Sequence, residues 1–162
     1  MMRYFAVCLG HASEGQAERW IRAFGVPAGA EVCTFREPGA DAHVAVTFAV
    51  PGGTALELPP IRPECAGVAA RAASGHATGR GGRAVCFRGS GALSGTMTAG
   101  AVMASTAIDR VAVVGAGAVP PGGLVGPLDG ARPVWRDGRL TLLVVPAGGD
   151  AFAPYDEAAI RS

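Results

Sequence analysis

The chain contains no lysine and no asparagine, so the 14 residues counted as lysine or arginine are all arginines. The codon bias of a GC-rich bacterial genome accounts for both absences, since the codons for lysine and asparagine are rich in adenine. The absence of lysine excludes a Schiff base on a side chain and a Walker A phosphate loop. Any catalysis must therefore come from His, Cys, Asp, Glu, Tyr, Arg, Ser or Thr side chains.

Charged residues are also scarce, at 17% of the 162 residues, whereas apolar residues make up 49%. This composition argues against a disordered chain, because disorder requires low hydrophobicity and high net charge. The formal net charge of +1 indicates no basic surface for nucleic acid or for an anionic membrane. The length predicts a single domain over residues 1–162, and the low charge of a Gly/Ala-rich chain favours a homo-oligomer.

The N-terminal segment MMRYFAVCLGHASE lacks the pattern of a secretory signal, because no small-residue cleavage site follows its short apolar run. Three of the four cysteines, Cys8, Cys33 and Cys86, lie in apolar strand-like runs, which is typical of buried thiols. We therefore expect a cytoplasmic protein with reduced cysteines.

Apolar and alternating runs predict a sheet that is mostly antiparallel or mixed. The predicted strands cover 3–10, 31–37, 43–50, 54–58, 83–88, 93–98 and 110–117, followed by a hairpin around Arg136-Asp137-Gly138. Two further hairpins are expected, one joining 31–37 to 43–50 and the other joining 83–88 to 93–98. The segment after Pro146 is expected to be peripheral.

Three helices are predicted between these strands. The first follows Ser13, which forms a capping box with Gln16 and leaves Glu18 on the polar face. The second covers 62–75, and its apolar face consists of Cys65, Val68, Ala69 and Ala72. The third covers 99–108, with Thr98 as the N-cap. Together these elements predict an α+β fold with two to three helices packed on the sheet.

The uncharged, glycine-rich stretch 89–108 is interpreted as part of this scaffold. Its glycines follow the spacing G-x-G-x-x-x-G, which differs from the G-x-G-x-x-G of a dinucleotide-binding turn. It also lacks the Leu, Ile and Phe content that drives insertion of a membrane helix. A long loop at 116–133 is the better candidate for a functional segment, because loops of this length are uncommon in compact domains.

The histidines and cysteines give one local metal-like spacing, the C-x2-H pair of Cys8 and His11. Zinc sites usually combine two such pairs, and the other His and Cys residues are dispersed. We therefore assign no metal and no cofactor. A zinc-stabilised domain that uses Cys8, His11 and a distant pair is kept as an alternative.

The candidate catalytic residues are chosen around the position of His11. His11 lies where the first strand gives way to a helix N-terminus, a place that attracts anions, and histidine titrates near neutral pH. We expect His11 to act as general acid/base, helped by a carboxylate from Glu57 or Asp41. Arg36 and Arg88 are expected to hold the substrate, since arginine binds carboxylates and phosphates bidentately. His43 ranks lower, as does His76 in the glycine-rich loop 75–83.

The sequence therefore favours a small cytoplasmic enzyme that acts on a small molecule, including an anionic one, by His-based acid/base chemistry. The loop 116–133 would cover its pocket. The main alternative is a non-catalytic protein that binds a small molecule or assembles into a homo-oligomer through Gly/Ala/Val-rich surfaces. Neither interpretation involves nucleic acid or a membrane.

Overall fold

The computed structural model describes residues 1–37 and 43–161. These residues form two compact units, Met1–Cys86 and Phe87–Ser162, and contain ten strands and four α-helices. The prediction of an α+β fold with a mostly antiparallel or mixed sheet is confirmed.

The first unit contains four strands and two α-helices. In chain order these are β1 (Met2–His11), α1 (Glu14–Phe24), β2 (Glu31–Arg36), β3 (Val44–Pro51), α2 (Ala66–Thr78) and β4 (Arg83–Cys86). The strand order is β1-β3-β2-β4, and every neighbouring pair is antiparallel. The predicted hairpin of 31–37 with 43–50 is confirmed as β2 and β3.

The side chains of this sheet alternate between two helices, because successive residues of a strand point to opposite faces. Towards α1 lies an apolar core that includes Val7, Ile21, Val46 and Phe48. Towards α2 lies a second cluster of small residues, which consists of Cys8, Ala45, Cys65 and Ala72 with Phe35 and Val68 at its margin. The unit is therefore a three-layer arrangement of helix, sheet and helix.

Local signals in the sequence set the N-terminus of α1 as predicted. Ser13 Oγ accepts a hydrogen bond from the Gln16 backbone at 3.2 Å, and Gln16 Oε1 accepts one from the Ala12 backbone at 2.8 Å. This completes the capping box at the helix N-terminus. The prediction that Glu18 lies on the exposed face is wrong, since Arg83 from β4 donates to its carboxylate at 2.6 Å and the pair is largely buried.

The second helix differs from the prediction in length. A 3-10 turn at Pro63–Cys65 leads into α2, which continues past Gly75 and ends at Thr78. Gly79 follows in the left-handed conformation, its N–H donates to the His76 carbonyl, and the Arg80 N–H donates to the Gly75 carbonyl. This is a Schellman ending, in which two terminal carbonyls gain donors. His76 therefore lies in the last helical turn, and its assignment to a loop is wrong.

The predicted strand at 54–58 is also wrong, because this segment has no regular structure. The short run holds two leucines and one carboxylate, which is too little alternation to distinguish a strand from an irregular connection.

The second unit contains six strands and two α-helices. In chain order these are β5 (Met97–Thr98), α3 (Ala99–Ser105), β6 (Arg110–Val113), β7 (Leu124–Val125), β8 (Val134–Arg136), β9 (Arg139–Pro146), β10 (Ala151–Pro154) and α4 (Glu157–Arg161). The strand order is β8-β9-β10-β7-β5, and β6 runs parallel to β9. The β8–β9 hairpin is confirmed, with positive φ at both Asp137 and Gly138, as a type I′ turn requires.

Two predictions for this unit are corrected. Residues 93–98 do not pair with 83–88, since β5 pairs with β7 instead, although Thr98 does cap α3 through a hydrogen bond to the Ala101 backbone. The segment after Pro146 is not peripheral, because β10 pairs with both β9 and β7. The loop 116–133 contains β7. Among the described residues, no helix has the length and apolar character needed to cross a membrane.

Candidate metal centre

A cluster of ligand-type side chains lies on the α2 face of the first unit. Glu31 and Cys33 lie two residues apart on β2 and so point to the same face. Thr47 lies directly opposite Cys33 on β3, and His76 reaches this group from the last turn of α2. Small residues at Ala45 and Ala49 flank Thr47, which lets the helix approach the sheet closely.

His76 is the centre of the cluster, and both of its ring nitrogens have partners. Nδ1 lies 2.8 Å from Thr47 Oγ1, and Nε2 lies 2.8 Å from Glu31 Oε1. The Cys33 sulfur lies 3.6 Å from the same Nε2 and 3.9 Å from Glu31 Oε1. The His76 side chain is 1% exposed and that of Glu31 16% exposed, so Glu31 connects a buried histidine with solvent.

The Thr47 hydroxyl has one proton and two acceptors within reach, His76 Nδ1 at 2.8 Å and the Cys33 carbonyl at 3.5 Å. When the hydroxyl donates to Nδ1, His76 carries its proton on Nε2 and donates it to Glu31 at 2.8 Å. When the hydroxyl donates to the carbonyl, Nδ1–H donates to Thr47 and the Nε2 lone pair is open to a cation. The contact between Nε2 and the carboxylate therefore fits either a hydrogen bond or a shared metal ion.

The spacing of the three donor atoms suits a metal ion. Glu31, Cys33 and His76 each offer one ligand atom, and these atoms lie within 4.8 Å of one another. Tetrahedral zinc with bonds of about 2.0–2.3 Å separates its ligand atoms by about 3.3–3.6 Å. The sulfur already lies 3.6 Å from Nε2, and the Nε2–Oε1 pair would open by about half an ångström from 2.8 Å.

The aromatic residues around the cluster hold the imidazole ring in place. Tyr4 on β1 meets the His76 ring edge-on, with ring centroids 5.3 Å apart, and the Phe35 ring lies tilted to it at a centroid distance of 6.4 Å. Tyr4 is 38% exposed and occupies the same cross-strand row as Ala49 and Glu31. The solvent-facing side of the cluster is therefore the Tyr4–Glu31 side.

His11, the predicted general acid/base, lies elsewhere in the first unit. It ends β1, is half-buried, and its ring contacts Trp20 of α1 at a centroid distance of 6.2 Å. Its Nδ1 is buried and has no hydrogen-bond partner among the described residues, and burial lowers the pKa of the imidazole. Its catalytic role stays a prediction.

The other predicted site residues are not brought together with His11. Glu57 is exposed in the irregular segment after β3, and Asp41 lies outside the described residues. Arg36 forms a bidentate pair with Glu14 of α1, with N···O distances of 2.9 and 2.6 Å, and these hydrogen bonds raise the pKa of the guanidinium. Arg88, in the second unit, is exposed and donates to the Thr106 carbonyl at 2.9 Å. The substrate-binding roles of Arg36 and Arg88 stay predictions.

Cys8, predicted as the partner of His11 in a zinc alternative, packs with Cys65 instead. Both thiols are buried in the small-residue cluster under α2. Burial and a hydrogen bond with Cys8 raise the pKa of the Cys65 thiol to about 11. All four cysteines remain thiols. Within the described part of the chain, neither Cys8 nor His11 belongs to a group of three metal-ligand side chains.

The sequence carries a partial signal for the cluster that local spacing rules overlook. Adding four residues to Ala72 on the predicted apolar face of the second helix gives His76, one turn further along. Glu31 and Cys33 alternate with apolar residues and so share one strand face. Periodicity alone does not show that these two faces meet.

No protein-family model, no curated protein and no solved structure matches this chain. The candidate site therefore rests on its geometry.

Proposed function

We propose that the first unit binds one divalent transition-metal ion, with zinc as the first choice, through Glu31, Cys33 and His76. The observation that carries this proposal is the arrangement of a carboxylate, a thiol and an imidazole nitrogen around one point, with their ligand atoms within 4.8 Å of one another. Nitrogen, sulfur and oxygen donors together favour zinc over magnesium or calcium, which prefer oxygen ligands alone.

The surroundings of the ligands support this assignment. Metal-bound histidines usually donate their second ring N–H to another group, which fixes the ring and its tautomer. Thr47 is placed to be that partner for His76: with a metal on Nε2, Nδ1–H would donate to Thr47 Oγ1 at 2.8 Å, and the Thr47 hydroxyl would donate to the Cys33 carbonyl at 3.5 Å. The imidazole is therefore oriented with Nε2 towards the other two ligands.

Three protein ligands leave one coordination position for water or a small molecule, which is the pattern of catalytic rather than structural zinc sites. A zinc ion there would supply an activated water or polarise a bound carbonyl. The proposal thus agrees with the expectation of a small-molecule enzyme, with His76 in place of His11 at its centre. Metal binding is the part that can be tested first.

The test is a titration of metal-free protein with Co²⁺, followed by competition with Zn²⁺. We expect one equivalent of cobalt to bind, with a visible spectrum and a near-ultraviolet thiolate-to-metal band. Cys33→Ser should remove that band, whereas Cys86→Ser is the matched control on β4 and should keep it. Glu31→Gln should weaken binding by about tenfold or more, as expected for loss of a charged ligand.

The outcomes separate a metal site from a buried His–Glu pair. Absence of saturable one-to-one binding would overturn the proposal. So would a cobalt spectrum that is unchanged by Cys33→Ser and Glu31→Gln in variants whose circular dichroism and melting show an intact fold. His76→Gln, compared with His43→Gln, gives a second independent check on the nitrogen ligand.

A further inference from the structure

A small cleft lies in the first unit, between the end of β2 and the side of α2. Its volume is about 100 Å³, and its lining includes Phe35, Glu37, Val68, Arg71, Ala72 and Arg80. Arg36 also borders the cleft, but its guanidinium is hydrogen-bonded to Glu14. The cleft thus combines apolar side chains with two further arginines, Arg71 and Arg80.

The charges of the described residues around the cleft do not balance. Arg36 is paired with Glu14, and Arg71 donates to Glu37 at 2.6 Å. Arg80 is exposed, and its side chain has no hydrogen-bond or ion-pair partner within the part of the chain that the structure describes. Over these described residues the cleft has one excess positive charge, which belongs to Arg80.

The backbone that presents Arg80 is held in a defined position. Arg80 follows Gly79 in the Schellman ending of α2, and its N–H donates to the Gly75 carbonyl at 2.8 Å. The next glycines pack on Phe35: a Cβ atom at Gly82 would lie 2.6 Å from the Phe35 ring. The glycine-rich loop thus packs against Phe35 of the cleft, and the backbone that carries Arg80 is held in place by the helix ending.

We propose that this cleft binds a small oxyanion, a carboxylate or a phosphate group, with Arg80 and Arg71 as donors. Two guanidinium groups provide the forked N–H geometry that matches such oxygens, and their excess charge favours an anion. Phe35, Val68 and Ala72 would contact the apolar part of a carboxylate ligand. The proposal goes beyond metal binding and does not depend on it.

The size of the cleft limits the ligand. Pockets for drug-sized molecules have volumes of about 300–1,000 Å³, well above the volume found here. The cleft therefore accepts a phosphate or a short carboxylate, or the end group of a longer molecule whose remainder stays in solvent.

The test uses nuclear magnetic resonance titrations of the full chain with inorganic phosphate and, separately, with succinate. We expect saturable shifts of the amide signals of Arg71, Ala72 and Arg80. Arg80→Gln should weaken binding by about tenfold, the effect of losing one charge-assisted hydrogen bond. Arg22→Gln, at an exposed arginine of α1, is the control and should leave the affinity unchanged.

A third variant is expected to strengthen anion binding where Arg80→Gln weakens it. Glu37→Gln removes the carboxylate that competes for Arg71, so we expect it to tighten binding. Saturation by phosphate alone identifies a phosphate site, and saturation by succinate alone identifies a carboxylate site. Failure of both ligands to give saturable shifts overturns the proposal, as do equal effects of Arg80→Gln and Arg22→Gln. Failure of the anion proposal would leave the metal proposal unaffected, because the cobalt titration tests metal binding separately.

Discussion

The two faces of the sheet in the first unit are built from the same strands but differ in the size and polarity of their side chains. Towards α1, β3 presents Val44, Val46, Phe48 and Val50, all buried. Towards α2, the alternate residues are Ala45, Thr47 and Ala49, also buried. Large apolar residues fill the first face, whereas small residues on the second let polar groups and a helix meet at short range.

This difference shows why the polar cluster is possible. Burial of a polar group without a partner is costly, so buried donors and acceptors occur where they satisfy one another. On the α2 face, Glu31, Thr47 and His76 do so. On the α1 face, Thr34 and His11 each have a buried polar atom that finds no hydrogen-bond partner in residues 1–37 and 43–161. Similar substitutions on the two faces are therefore expected to change the free energy of unfolding in opposite directions.

The strongest effect is expected on the apolar face. Phe48→Ala removes a fully buried ring that contacts Trp20 and Phe24, so we expect a loss of about 3–5 kcal/mol in the free energy of unfolding. Urea denaturation measures this loss. Cobalt binding below the unfolding midpoint should remain, and a loss of binding by folded Phe48→Ala would show that the two faces are not independent.

The second-largest loss of stability is expected on the face towards α2, which carries the polar cluster. Thr47→Val keeps the shape of the side chain but leaves His76 Nδ1 without its hydrogen-bond partner, so we expect a loss of about 1–3 kcal/mol. The same change should weaken metal binding by about tenfold or more, because the partner of a ligating histidine fixes its orientation. Parallel denaturation and cobalt titrations measure both. An unchanged cobalt affinity would show that Thr47 does not orient the ligand.

The matched change on the other face should have the opposite sign. Thr34 is 2% exposed, and its hydroxyl has no hydrogen-bond partner in the described part of the chain, so Thr34→Val removes an unsatisfied polar group. We expect stabilisation of up to about 1 kcal/mol and no change in metal affinity. Destabilisation in the same urea experiment would contradict the contrast between the faces.

The weakest effect concerns the histidine on the apolar face. Burial lowers the pKa of His11 below its ordinary value of about 6.5, so the unfolded chain binds more protons than the folded chain just below that pH. This contribution to stability is present above about pH 6.5 and is lost as the pH falls. We expect urea midpoints of His11→Gln to change less than those of the unaltered chain between neutral pH and mild acid. An equal change in both proteins would remove His11 as the cause.

Much of the fold is predictable because it depends on neighbours in the chain. The Ser13–Gln16 capping box, the N-cap at Thr98 and the Asp137-Gly138 turn each bring together residues within a few positions, and all three form. Errors arise where pairing partners are distant. The hairpin rule pairs residues 93–98 with the nearest strand in the sequence, whereas β5 pairs with β7.

The candidate site is not predictable in this way, because its residues are separated by up to 45 positions in the chain. Spacing rules find metal sites when ligands come in local pairs, and this leads to Cys8 and His11. A different local rule, that glycine often ends a helix, places His76 in a loop because Gly75 precedes it. The helix continues for one more turn, since the glycine that ends it is Gly79.

Four features follow from the sequence alone: the α+β class, the start of α1, the β2–β3 hairpin and the alternation of each strand between two faces. They depend on periods of 2 and 3.6 residues and on caps and turns, which are properties of short segments. Which faces meet is known only from the folded chain. The contact of α2 with the β1–β3–β2 face places His76 against Glu31 and Cys33, because packing between distant segments depends on the fit of whole surfaces and not on local spacing.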